Sequence, residues 1–182
     1  MLVGMIMALA AASADPSNDG FQAFKTLCLA TAGDPAAAVA AADQADWAPL
    51  SKEQLSRLGP GVEARTRGTS EGFMIFQADR SDKVLSGASV KISNCTVVVS
   101  GGDYNSVAAL AKAWAAVPAS GLAPAEQGSM FMFADDRGRH IGIADAEMDS
   151  AMAQQLRDKK VMQLAVYNLS RGPSLRLTVF AR

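Results

Sequence analysis

His140 is the chain's only histidine, so any Ser-His-Asp or Cys-His catalytic arrangement must pass through it. It follows the turn signal Asp135-Asp-Arg-Gly138 and stands beside Arg139 at the start of an apolar, strand-like stretch. A side chain there is expected to be solvated, which speaks against a catalytic base. A hydrolase-type enzyme built on His140 would draw its carboxylate from Asp135, Asp136 or Asp145. The two cysteines, Cys28 and Cys95, are the other reactive pair. In an exported chain an even count reads as a bridge, here with a single connectivity. Closing so long a loop stabilises by about 4 kcal/mol in the chain-entropy picture. Two buried free thiols are the competing arrangement. A reactive thiol would need a helix N-terminus or a cationic neighbour.

Other constellations point away from chemistry. One histidine and two distant cysteines do not make a zinc site, which needs three or four ligands. Asp145, Glu147 and Asp149 open like a calcium loop, but Ser150 and Leu156 stand where that loop requires Gly and Glu. Acidic residues opening a helix account for them. Met130 and Met132 alternate with Phe131 and Phe133; paired thioethers suit Cu(I), yet Met is foremost a core filler. Gly101-Gly102-Asp103 reads as a helix cap, since no P-loop Lys and Ser/Thr follow. Asn94-Cys-Thr96 and Asn168-Leu-Ser170 match the glycosylation sequon but fall within strand patterns. No metal, cofactor or catalytic set is therefore assigned.

The elements that must position these residues begin with helices. Phe21, Phe24, Leu27 and Cys28 fall at helical spacing, which places Cys28 on an apolar face. Asp34-Pro35 restarts a helix as cap and first residue, and Ser51-Lys-Glu-Gln54 opens a short capped one. After Gly59-Pro60-Gly61 the period falls to two. Strands are expected over 72–77, 84–85, 90–99, 130–134, 139–144, 162–169 and 175–181. A long helix is expected over 104–117 and a modest one over 147–159. Hairpins join most neighbours and no βαβ alternation persists. The expectation is an α+β fold: N-terminal helices packed on a mainly antiparallel sheet of about six strands, with one long helix inserted. Cys95 would lie on a central strand, so a bridge to Cys28 would tie helices to sheet.

The first fourteen residues form an apolar run closing on Ala12-Ser13-Ala14. An apolar stretch ending small-x-small is the pattern of a signal peptide, and it is too short to span a bilayer. It lacks the usual basic residues before the apolar run; a buried N-terminal helix is the competing reading. The organisation expected is a leader over 1–14 and one α+β domain over 15–182, periplasmic or secreted.

A set of motifs adds to this: Phe21-x-x-Phe24-x-x-x-Cys28, Gly33-Asp34-Pro35, an Ala-rich helix ending at Trp47-Ala-Pro-Leu50, and Asn94-Cys-Thr96-Val. Together they resemble small exported proteins of α-proteobacteria from families of unknown function, over about the first hundred residues. The resemblance implies a periplasmic, disulfide-bonded α+β domain and transfers no catalytic residue. The absent basic n-region is where the chain departs from that pattern.

With 182 residues, 49% hydrophobic and 19% charged, the chain can bury a full core and is not of disordered composition. A net charge of −1 provides no basic field for nucleic acid. After leader removal no stretch is long and apolar enough for a membrane helix. The function expected is a non-enzymatic binding or envelope-associated module whose partner is a small molecule, a peptide or an envelope protein. The His140 hydrolase is the alternative, and a subunit that docks through a sheet edge is a third.

Overall fold

The computed structural model describes residues 15–85, 88–122, 128–145, 154–157 and 159–182. The leader segment and most of the helix expected over 147–159 lie outside the described residues.

Asp15 caps the first helix through Ser17 N at 3.0 Å. Helix α1 (Pro16–Phe24) runs straight into a π-helical turn over Lys25–Leu29. That turn widens the hydrogen-bond ring by one residue, and both Leu27 and Cys28 within it are buried. Gly33, at φ 69°, closes the helix with its N–H on Cys28 O. Helix α2 (Pro35–Gln44) starts as its residue types require, with Asp34 accepting from Ala37 N and Pro35 in the first turn. Strand β1 (Ala48–Pro49) and helix α3 (Lys52–Ser56) follow; Ser51 and Gln54 form a reciprocal capping box. Helix α4 (Tyr104–Ala115), capped by Asp103, ends where Ala116 turns left-handed at φ 54°.

The strands are β2 (Glu63–Thr69), β3 (Gly72–Leu85), β4 (Ala88–Val99), β5 (Gly128–Asp136), β6 (Arg139–Gly142), β7 (Val161–Leu169) and β8 (Gly172–Ala181). With β1 they make one sheet of eight, in the order β1-β2-β3-β4-β8-β7-β5-β6, and every pairing is antiparallel. The α+β class is as expected. The strand count of about six is not: β1 and β2 add two, and 84–85 is the far end of β3 rather than a strand of its own. Charges explain the omission of β2. Glu63, Arg65 and Arg67 occupy one face and only Ala64 is buried, so this strand carries no apolar alternation. The helix layer also differs, because α1 is prolonged by a π turn and α4 stops two residues before Val117.

Register sorts the sheet into two faces. Ala78, Cys95, Leu177, Leu164 and Phe131 are cross-strand neighbours in one row, all buried under the helices. Phe21, Phe24, Leu27, Val107 and Ala111 supply the helical half of this core. Gly20 lets α1 lie close on β4: a Cβ there would run into the γ carbons of Val99. The opposite face is mixed. Val90, Ile92, Met132, Leu156 and Val161 form a second apolar cluster. Beside it Asn94 donates to Asp79 at 2.8 Å and Thr178 donates to Asn94 at 2.9 Å. Among the described residues no helix is long and apolar enough to cross a membrane.

Cys28 and Cys95 are bridged, with Cα atoms 5.4 Å apart. Both are fully buried. The bridge joins the π turn to the central strand β4, as the helical spacing and the β-rich run around Cys95 led one to expect.

Candidate functional site

The turn between β5 and β6 consists of Arg137 at φ 55° and Gly138 at φ 84°. Two successive positive φ values make a two-residue hairpin turn whose twist suits the sheet. Asp135 stabilises it by accepting from Gly138 N at 2.8 Å. A two-residue turn leaves no choice of register: Asp136 faces Arg139 and Asp135 faces His140. Directly opposed residues share a face. Asp135 and His140 therefore project to the helix-covered side, with Phe133. Asp136 and Arg139 project to the other side, where they meet at 3.6 Å and Lys159 joins Asp136 at 3.3 Å.

His140 is not the solvated hairpin side chain expected. It is half-buried, its ring centroid 4.3 Å from that of Phe133 and 4.5 Å from that of Trp114. Helix α4 ends directly above it, and His140 Nδ1 is 2.9 Å from Ala115 O. A carbonyl only accepts, so Nδ1 carries the proton, and in a neutral ring the lone pair is then on Nε2. Among the described residues Nε2 has no hydrogen-bond partner, and His140 lines the cleft beside it. The physical reason for the difference is tertiary: the end of α4 covers this hairpin and offers a free carbonyl, which neither the turn nor the strand pattern reveals.

The cleft has a volume of about 660 Å³. It opens where the π turn and α4 both end above the sheet. Trp114 and His140 form an aromatic wall, Leu29, Met162 and Leu177 an apolar floor, and Asp135 and the Arg139 backbone side of the hairpin the rim. Among the described residues no lining residue is a Ser, Thr, Cys or Lys, and Asp135 is the one carboxylate of the lining. The other two acids expected near His140 are engaged elsewhere. Asp136 pairs with Arg139 and Lys159 on the opposite face. Asp145 accepts from Ser120 Oγ at 2.5 Å and Gly121 N at 2.6 Å, in a separate hollow of about 310 Å³.

The remaining sequence candidates have structural employment. Asp103 caps α4 by accepting from Ser106 N at 2.7 Å, and its carboxyl is held below the usual range mainly by that bond. Its own N–H donates to Ser17 Oγ at 2.8 Å. Met132 is buried in the second apolar cluster, and Met130 accepts from Gln163 Nε2. Glu147 and Asp149 lie outside the described residues. Among the described residues no group of three or more His, Cys, Asp or Glu is placed to hold a metal ion.

Reasoning from sequence named Asp135 among three possible acids for His140, and the two-residue turn singles it out as the cross-strand neighbour; it missed Trp114 as the wall and Ala115 O as the anchor, which depend on where α4 packs. Comparison with protein-family models, curated proteins and solved structures finds no match for this chain.

Proposed function

We propose that the chain is an exported, disulfide-held binding domain that takes a small organic molecule into the cleft between the ends of α1–π and α4 and the sheet. The observation that carries this is the lining. It joins an aromatic wall, an apolar floor and a few directed polar groups in a concavity of ligand size, without a hydroxyl, thiol or amine nucleophile among the described lining residues. The anchored imidazole supports it further. A ring fixed by Ala115 O and wedged between Trp114 and Phe133 keeps its shape without a ligand, so little ordering entropy is lost on binding. Export is supported by the apolar run ending Ala12-Ser13-Ala14 and by a disulfide of the sort that oxidising compartments preserve.

The test is to express the full chain in a bacterial host, recover it from the periplasm and identify co-purifying small molecules by mass spectrometry. The compounds found, and a fragment library, are then titrated while the imidazole signals of the single histidine are followed by NMR. Binders that shift His140 and Trp114 support the reading. Binders that shift only residues remote from the cleft overturn it.

A second reading rests on one observation: His140 and Asp135 both line the cleft and stand directly across the hairpin from each other. That pair could serve a hydrolase in which water is the nucleophile and His140 the general base. Against it, Nδ1 is oriented by a backbone carbonyl and Asp135 by the turn. Hydrolysis of simple esters that disappears in His140→Gln, with binding retained, would favour the enzyme.

A further inference from the structure

We infer that the His140 cleft selects an organic cation: a molecule with an ammonium or guanidinium head and an apolar body. This rests on the binding reading above and gives it a ligand class.

The inference follows from where the charges go. Of the six charged side chains on and beside the β5–β6 hairpin, Arg137 and Lys160 are exposed, do not line the cleft and make no ion pair among the described residues, and register divides Asp135 from Asp136, Arg139 and Lys159. The last three form a network on the opposite face of the sheet. Arg139 borders the cleft, but its side chain is 77% exposed and its guanidinium is paired away with Asp136. Asp135 is therefore left as the charged side chain of the cleft that makes no ion pair among the described residues. Its bond from Gly138 N uses one lone-pair direction of one oxygen; a carboxylate has about four such sites.

The other lining groups have the same electrostatic sense. Trp114 lines the cleft, and the face of an indole ring carries the negative side of its quadrupole, which attracts a cation within about 6 Å. In its neutral form His140 adds the Nε2 lone pair. Helix α4 and the π turn both end at the cleft, at Ala115 and Leu29, and helix C-termini carry partial negative charge. Carboxylate, aromatic face, imidazole lone pair and helix ends all favour positive charge and all disfavour an anion. Leu29, Met162 and Leu177 supply the apolar surface for the remainder of the molecule. A compact metal cation is a poorer fit, because one carboxylate and one imidazole fall short of a metal's ligand number.

Three probes of one shape test this at neutral pH: phenethylammonium, 2-phenylethanol and phenylacetate. The NMR signals of His140 and the Trp114 indole report the cleft, and Trp47, packed on Phe76 at the other end of the core, is the internal reference. The expected result is that phenethylammonium binds about tenfold tighter than the neutral alcohol, with no binding of phenylacetate. Asp135→Asn keeps the oxygen that accepts from Gly138 N. It should bring the ammonium and the alcohol to affinities within about a factor of two, at unchanged thermal midpoint. If the alcohol or the carboxylate binds as well as the ammonium, or if Asp135→Asn leaves the preference intact, cation selection is wrong while the cleft stands as a binding site. If none of the three shifts His140 or Trp114, both the selection and the binding reading fall.

Discussion

A single imidazole is held here by one backbone carbonyl and two aromatic rings, and that arrangement has a measurable consequence. His140→Ala removes the Ala115 bond, worth about 1 kcal/mol net, and opens a gap between Trp114 and Phe133. We expect a loss of about 1–2 kcal/mol, read as a lowered urea midpoint at unchanged slope. A change below about 0.5 kcal/mol is what a solvated hairpin side chain would give, and would show that the ring is not part of the packed structure. This residue also shows how far a site can be read from sequence. The types Asp135, Gly138 and His140 are a local signal, and a two-residue turn fixes their pairing. Trp114 and Ala115 are about 25 positions from His140 in the chain, and only the docking of α4 on β5 and β7 brings them there.

At the scale of elements, three helices were legible because their starts are written in side-chain chemistry. Asp34, Ser51 and Asp103 each cap the helix that follows them. Strands with an apolar face were legible for the same kind of reason, whereas β2 was not, since its alternation is one of charge with Ala, Thr and Gly. Two predictions belong to this scale. The first concerns the caps. The backbone N–H of Ala37, with Arg80 at 2.7 Å, lowers the Asp34 carboxyl; Ser106 lowers Asp103; and Arg65 at 2.7 Å lowers Asp43. A depressed folded pKa means stability that is fully present above the unfolded value, about 3.9 for Asp, and is lost as pH falls through the folded value. Urea midpoints should therefore drop below about pH 4, and the double variant Asp34→Asn, Asp103→Asn should flatten that drop, because Asn caps without titrating. An unaltered acid slope would remove the caps from the account. The second prediction concerns Gly20. Ala is a better helix former by about 1 kcal/mol, but its Cβ would meet Val99 on the central strand, and overpacking costs about 1–3 kcal/mol. The branched Val99 side chain has little freedom to turn aside. Packing should win, so Gly20→Ala is expected to be destabilising by about 1 kcal/mol in thermal or urea unfolding; a stabilised variant would mean that α1 can lift off β4 at small cost.

For the molecule as a whole, the decisive link is the one between layers. The helices reach the sheet through apolar packing and through a single covalent tie, Cys28–Cys95, whose loop contains α2, α3, β1, β2 and β3 but neither α4 nor the β5–β8 half of the sheet. The bridge thus constrains the first half of the chain in the unfolded state, including the π turn that supplies Leu29 to the cleft, and leaves the half bearing His140, Trp114 and Asp135 to noncovalent packing. The entropic estimate for this loop is about 4 kcal/mol. A core of this size folds with many other contacts, so we expect the pair Cys28→Ala, Cys95→Ala to fold and to lose about 2–4 kcal/mol. His140, Trp114 and Asp135 lie outside the loop, while Leu29 of the floor follows Cys28 inside it; with the π turn still packed on the sheet, the same variant should keep the NMR shifts of His140 and Trp114 and the affinity for the ammonium probe. In protein recovered from the periplasm, beginning at Asp15 if the leader is cut after Ala14, the non-reduced mass should be two hydrogens below that of the dithiol. Two free thiols counted after unfolding without reductant would refute the bridge. A bridged protein whose cleft signals collapse in the Cys→Ala pair would instead show that the two halves are not independent, and that the tie between helices and sheet is what holds α4 over His140.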